Sequence, residues 1–217
     1  MLNVIASRVA STCVLPLALI VSSGLLTPQT LRITEPKDGT VVNTGQVLTV
    51  VVDASPPFAF QEVIIVGPSA IGFSQTLRSP PYRFSLLIPL GTRPRRYSLF
   101  ADGTTEPGKG AASDPVEIQV ERPDRPLKLT AKPAVLDFMS VGHNDPITAV
   151  GQFADVGELD LRESTRIKYV SDNPRVAKVT QEGLVTATGP GSANVTLEYN
   201  GTSVVVPVTV RKPPVAR

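Results

Sequence analysis

The stretch Ala193-Asn194-Val195-Thr196-Leu197-Glu198-Tyr199-Asn200-Gly201-Thr202-Ser203-Val204-Val205-Val206-Pro207-Val208-Thr209-Val210 decides the fold. Apolar and polar residues alternate on both sides of Asn200-Gly201. Period two puts one side of each run on a core and the other in solvent, which marks a half-buried strand. Asn and Gly both accept the positive φ of a type I′ turn, so the pair closes an antiparallel hairpin.

The same grammar continues upstream. Val176–Val179 and Leu184–Ala187 pair around Gln181-Glu182-Gly183, with Ser171-Asp172-Asn173-Pro174 as a turn before them. Further toward the N-terminus come the runs Leu31–Ile33, Val47–Val52, Glu62–Val66, Tyr82–Ile88, Arg96–Ala101 and Val116–Val120. Turn residues separate them: Lys37-Asp38-Gly39, Asn43-Thr44-Gly45, Ser55-Pro56-Pro57, Ser79-Pro80-Pro81 and Asp102-Gly103. Short strands at regular spacing predict an all-β sandwich architecture. After the first segment no window sustains an i, i+3, i+4, i+7 apolar stripe, so no long helix is expected.

Composition agrees and excludes several classes. The chain has 217 residues and 21 Pro, far too many for a helical protein. With one Cys and one His, neither a cysteine zinc site nor a histidine metal site can be assembled. A formal charge of +2 lacks the basic excess of a nucleic-acid-binding domain.

Glu121-Arg122-Pro123-Asp124-Arg125-Pro126 interrupts the pattern. Prolines and charges at this density do not fit a central strand and predict a semi-rigid extended linker. The expected organisation is all-β, two tandem β-sandwich domains at residues 30–122 and 127–211, a Pro-rich linker at 123–126 and a tail at 212–217. Leu31–Arg122 carries nine basic and nine acidic residues, and Leu127–Arg211 eight and nine. Neither half offers a charge handle for a polyanion.

Residues 1–24 read as a secretory signal. Arg8 supplies the basic start, Val14–Val21 the apolar centre and Ser22-Ser23-Gly24 the small residues of a cleavage site. An uncleaved anchor is the alternative, because no charge falls between Val9 and Arg32. Cys13 lacks the small residue that a lipoprotein signal places before its cysteine. Export without disulfides leaves the fold to its apolar core.

From Leu127 to Val210 the sequence resembles the bacterial Ig-like domain of group 2, found in intimin- and invasin-type surface proteins. The resemblance is carried by Phe153-Ala154-Asp155, Leu159-Asp160-Leu161, Tyr169 through Val179, Gly183-Leu184-Val185-Thr186-Ala187, Gly189-Pro190-Gly191-Ser192-Ala193 and Tyr199-Asn200-Gly201. Asp155-Val156-Gly157 departs from the family's Asp-Gly turn by one residue. Residues 30–122 resemble a bacterial Ig-like domain less specifically, through Ile33-Thr34-Glu35-Pro36-Lys37-Asp38-Gly39. There Tyr97 reads either as a tyrosine corner or as a strand aromatic facing the core.

Several motifs suggest chemistry and are better read as structure. Gly103-Thr104-Thr105-Glu106-Pro107-Gly108-Lys109-Gly110 approaches a phosphate-binding loop but lacks the Ser or Thr after its Lys, and predicts a flexible loop. His143 is expected in a turn, since no G-x-S-x-G nucleophile elbow accompanies it. Asp155, Glu158 and Asp160 form an acidic cluster, expected as a solvated loop, with glycoside hydrolysis by paired carboxylates and calcium binding as the rivals. Arg93-Pro94-Arg95-Arg96 is expected as a solvated turn, with an anionic polysaccharide or lipid headgroup as the alternative contact. Asn194-Val195-Thr196 and Asn200-Gly201-Thr202 are glycosylation sequons, which in a bacterial protein normally stay bare.

The expected function is an exported, non-catalytic binding or adhesion module of the bacterial cell envelope or surface. The alternative is a structural spacer or assembly subunit in a larger envelope or secretion complex. No catalytic, metal or cofactor residues are expected. A protein or polysaccharide at the cell surface is the expected partner, nucleic acid is not, and the membrane is met only through residues 1–24 if they stay uncleaved. The destination is periplasmic, cell-surface or secreted.

Overall fold

The computed structural model describes residues 29–71 and 74–212. Residues 1–24, read above as a signal, with Cys13 among them, and residues 213–217 of the expected tail lie outside the described residues. Nine strands form the N-terminal half: β1 (Thr30–Glu35), β2 (Thr40–Asn43), β3 (Val47–Ser55), β4 (Glu62–Val66), β5 (Ser74–Leu77), β6 (Tyr82–Leu87), β7 (Arg95–Glu106), β8 (Lys109–Ala112) and β9 (Val116–Glu121). The C-terminal half contributes β10 (Lys128–Lys132), β11 (Leu136–Phe138), β12 (Asn144–Pro146), β13 (Thr148–Phe153), β14 (Gly157–Asp160), β15 (Lys168–Ser171), β16 (Ala177–Val179), β17 (Leu184–Ala187), β18 (Gly191–Tyr199) and β19 (Thr202–Val210). A short 3₁₀ turn at Ser69–Ile71 is the one helical element among the described residues.

In the N-terminal half a sheet ordered β1-β3-β6 lies against one ordered β2-β9-β7-β4-β5, with β8 paired to β7. Every second side chain of β6 is buried, as the alternation requires. Val50, Phe84, Leu99 and Ile118 from both sheets meet in one core. The C-terminal half has a separate core, in which Leu161, Val195, Leu197 and Val206 are fully buried. Its sheets run β10-β13-β14, β11-β19-β18-β15 and β12-β17-β16.

The decisive hairpin forms as read. β18 and β19 pair from Gly191–Val210 to Tyr199–Thr202, and Asn200 and Gly201 turn with φ of 45° and 80°. Although the halves share no clear residue repeat, they share one connection. Each sends its first strand into one sheet and crosses through Pro36 or Pro133 to the other, where the second strand runs parallel to the last.

Three expectations need correction. Asp102-Gly103 is no turn, because β7 runs on through it to Glu106. A Cβ on Gly103 would stand 2.5 Å from Phe60 and 2.7 Å from Leu31, so this glycine makes room for packing side chains instead. The segment read as a flexible loop, 103–110, is a β7–β8 hairpin turning at Gly108, whose φ is 76°. Finally, the start of the linker is not an exposed spacer: Glu121 completes β9 opposite Asn43, and both Glu121 and Arg122 are buried.

Candidate functional site

Strand β9 alternates Glu117, Gln119 and Glu121 on the face away from the core. Glu117 is exposed, yet Gln119 is 5% and Glu121 0% exposed. The reason is the segment Glu163-Ser164-Thr165, which folds over them from the C-terminal half. Glu121 Oε1 accepts from the Thr165 backbone N–H (2.7 Å), the Thr165 hydroxyl (2.9 Å) and Gln119 Nε2 (2.8 Å). Its Oε2 accepts from the Ser164 hydroxyl. These donors are neutral and satisfy both oxygens of a buried carboxylate, which would otherwise be costly to bury.

Arg122 points to the other side of the same seam. Nη1 donates to the Leu90 carbonyl at 2.9 Å, holding the loop that follows β6. Nη2 donates to both carboxylate oxygens of Asp155 at 2.6 and 2.8 Å and lies 3.0 Å from Asp124. The guanidinium sits 4.4 Å from the Phe153 ring centroid, a cation–π contact. Its side chain is 3% exposed and that of Asp155 38%, so the pair is shielded on one side only. The Arg122 hydrogen bond holds the Asp155 carboxyl below its ordinary pKa.

The main chain is fastened as well. The Arg122 carbonyl accepts from the Tyr199 hydroxyl at 2.7 Å and from Asn200 Nδ2 at 3.1 Å. The same Nδ2 reaches the carbonyls of Pro123 and Asp124, each at 3.1 Å. Thus the hairpin tip of the C-terminal half grips the three residues leading into it. Burial pushes the Tyr199 phenol up to about 12. Arg166 Nη2, 3.4 Å from Asn43 Oδ1, adds a weaker tie.

The structure distributes the other candidate residues. Of the acidic cluster, Asp155 belongs to the junction rather than to a solvated loop, Glu158 faces Lys132 at 3.7 Å, and Asp160 faces Arg162 at 3.6 Å. His143 is exposed between the Val141-Gly142 turn and β12, where its carbonyl accepts from the Ala187 N–H. Tyr97 satisfies both of its readings: it is 3% exposed, and its hydroxyl donates to the Arg93 carbonyl at 3.0 Å. Arg95 stacks over the Tyr97 ring at 4.9 Å, so the basic run is partly spent on that corner. Asn194 holds Asp172 through Nδ2 at 2.8 Å.

Sequence reasoning missed Glu121, Arg122, Ser164 and Thr165 as a set. The one available signal was that β9 continues its alternation into Glu121 without a turn residue. Nothing local marks Ser164-Thr165 as its lid.

Such a fold, with two apolar cores and a buried polar seam between them, defines an immunoglobulin-like β-sandwich protein. Residues 137–210 match the family model described as bacterial Ig-like domain (group 2), the family that the C-terminal half resembles. The match starts ten residues inside the expected boundary at 127 and spans β11 to β19. No curated protein matches the chain. Among solved structures, the D00-D0 domain of Intimin aligns over 84% of this chain and 100% of that one, at 12% identity and TM-score 0.35. Fibronectin(III)-like modules of Clostridium thermocellum CbhA align over 42% of this chain and 94% of theirs, at 14% identity and TM-score 0.36. The S-layer protein SbsC, domains 4 and 5, aligns over 86% and 98%, at 12% identity and TM-score 0.32. Alignments this loose locate no function.

Proposed function

We propose that the chain is an exported, non-catalytic element of the bacterial envelope or surface, built of two Ig-like domains held at a set orientation. In this reading it is a structural or assembly subunit, and what it contributes is the geometry between whatever lies at its two ends. The supporting observation is the seam at Glu121-Arg122. A spacer meant to swing freely would not bury a carboxylate and a guanidinium at its hinge, where each needs partners from the other half to remain buried. The family of the C-terminal domain supports a bacterial surface or extracytoplasmic setting.

A binding or adhesion role for a protein or polysaccharide is the second reading. Val47 and Leu87 face each other across β3 and β6, both more than half exposed, and Leu90 lies close by against Gly45. An outward apolar pair at a sheet edge suits a contact surface.

Complementation separates the two. A host strain lacking the chain is supplied with wild type, with Glu121→Ala/Arg122→Ala, or with Val47→Ser/Leu87→Ser. Loss of envelope integrity or assembly with the seam variant alone supports the geometric role. Full rescue by the seam variant, with loss in the surface variant, transfers the function to binding.

A further inference from the structure

Asn200 has two tasks at once. It turns the β18–β19 hairpin with φ of 45°, and its Nδ2 donates to the carbonyls of Arg122, Pro123 and Asp124. Three converging carbonyl oxygens accept only a donor, and a carboxylate oxygen in that place would face them with like partial charge. Of the chain's six asparagines, Asn200 alone precedes a glycine. A glycine nitrogen is unshielded by any side chain of its own residue, so it reaches the preceding side-chain carbonyl carbon more easily than other backbone nitrogens do.

We propose that Asn200 is a spontaneous modification site whose deamidation releases the junction. The Gly201 backbone nitrogen attacks Cγ of Asn200 and loses its proton. A new C–N bond closes a five-membered succinimide, and the Cγ–Nδ2 bond breaks as that nitrogen leaves as ammonia. Water then adds to one of the two ring carbonyls and opens the ring to aspartate or isoaspartate. Nothing is oxidised or reduced, and water is the only co-reactant.

Either product puts a negative charge where three carbonyls converge and removes the donor that held them. Isoaspartate also lengthens the main chain by one atom inside a two-residue turn. While the seam is closed, the departing nitrogen is held against the linker and the side chain cannot swing onto the Gly201 nitrogen. The reaction is therefore gated: slow when the halves are locked, fast once they part, and self-sustaining afterwards because the product cannot relock.

This inference rests on the fixed junction proposed above, and the test keeps the two apart. The full chain is aged in mild alkali at physiological temperature and followed by peptide mass mapping, beside the seam-opened Arg122→Ala/Asp155→Ala. Asn200→Asp stands in for the product, and Asn200→Gly keeps the turn with neither amide nor charge. Conversion at Asn200 should be at least several-fold faster in the opened variant. The two halves should reorient independently in Asn200→Asp, and more freely there than in Asn200→Gly. No conversion at Asn200, equal rates in the locked and opened chains, or a closed seam in Asn200→Asp would overturn the proposal. Independent halves in fresh wild type would overturn the fixed junction itself.

Discussion

The Tyr199 hydroxyl donates to the Arg122 carbonyl at 2.7 Å, across 77 residues of sequence. Tyr199 is fully buried, so this bond ties the longest hairpin of the C-terminal half to the last residue before Pro123. Tyr199→Phe keeps the ring and removes the bond. Because Asn200 still serves the same carbonyl, the loss should be about 0.5–1.5 kcal/mol, read by chemical denaturation.

Alkali should act on the C-terminal half. The phenols of Tyr199 and Tyr169 both stand at about 12, raised by burial. A raised folded pKa means that their contribution is complete below the ordinary phenol value of about 10 and is lost as pH rises through the folded value. Absorbance titration of phenolate should therefore show these two tyrosines ionising late, together with unfolding between about pH 10 and 12.

Glu121→Ala should separate a buried network from a surface pair. It strands the Ser164 hydroxyl and the Thr165 N–H, and the expected cost is about 1–3 kcal/mol. Glu121→Gln keeps one acceptor oxygen but places an amide donor against those hydroxyl and N–H donors, so it should rescue only part of the loss. Equal stability of both variants with wild type would remove the carboxylate from any structural role.

Much of this was legible beforehand. The Asn200-Gly201 hairpin, the Gln181-Glu182-Gly183 turn and most of the principal strands follow from alternation and turn chemistry, which are local. What failed was non-local. Asp102-Gly103 carries the residue types of a turn, but the room that Phe60 and Leu31 need beside Gly103 keeps the strand going. Glu121 and Arg122 look like linker because their partners in the C-terminal half lie 33 to 78 residues away, at Asp155, Ser164-Thr165 and Tyr199-Asn200. Asp155 drew notice as one of three acids, whereas its partner lay in a segment read as exposed.

Gly103→Ala should be destabilising although the residue sits in a strand, where alanine is usually tolerated. A Cβ 2.5 Å from Phe60 forces that ring to move, at a cost of about 1–3 kcal/mol. Pairing the change with Phe60→Leu should recover part of it, measured as a coupling in a double-mutant cycle.

Acid should open the seam late. The Asp155 pKa is lowered chiefly by its hydrogen bond from Arg122, so its contribution is present above the ordinary carboxylate pKa and is lost as pH falls through the lower folded value. Asp137, bound by Arg211, and Asp172, bound by Asn194, are lowered too, but both lie within the C-terminal half. Asp155→Asn should therefore lessen the acid dependence of interdomain order, the Glu121 carboxylate and Asp124 remaining at the seam, while leaving the acid unfolding of the C-terminal half in place, as followed by tyrosine fluorescence and small-angle scattering.

Residual dipolar couplings on the full chain test the fixed junction most directly. Amides of β1 to β9 and of β10 to β19 should fit a single alignment tensor in wild type and two in Glu121→Ala/Arg122→Ala. Two tensors in the wild-type chain would mean that the halves move independently, and a buried Glu121-Arg122 seam could not then describe the protein in solution.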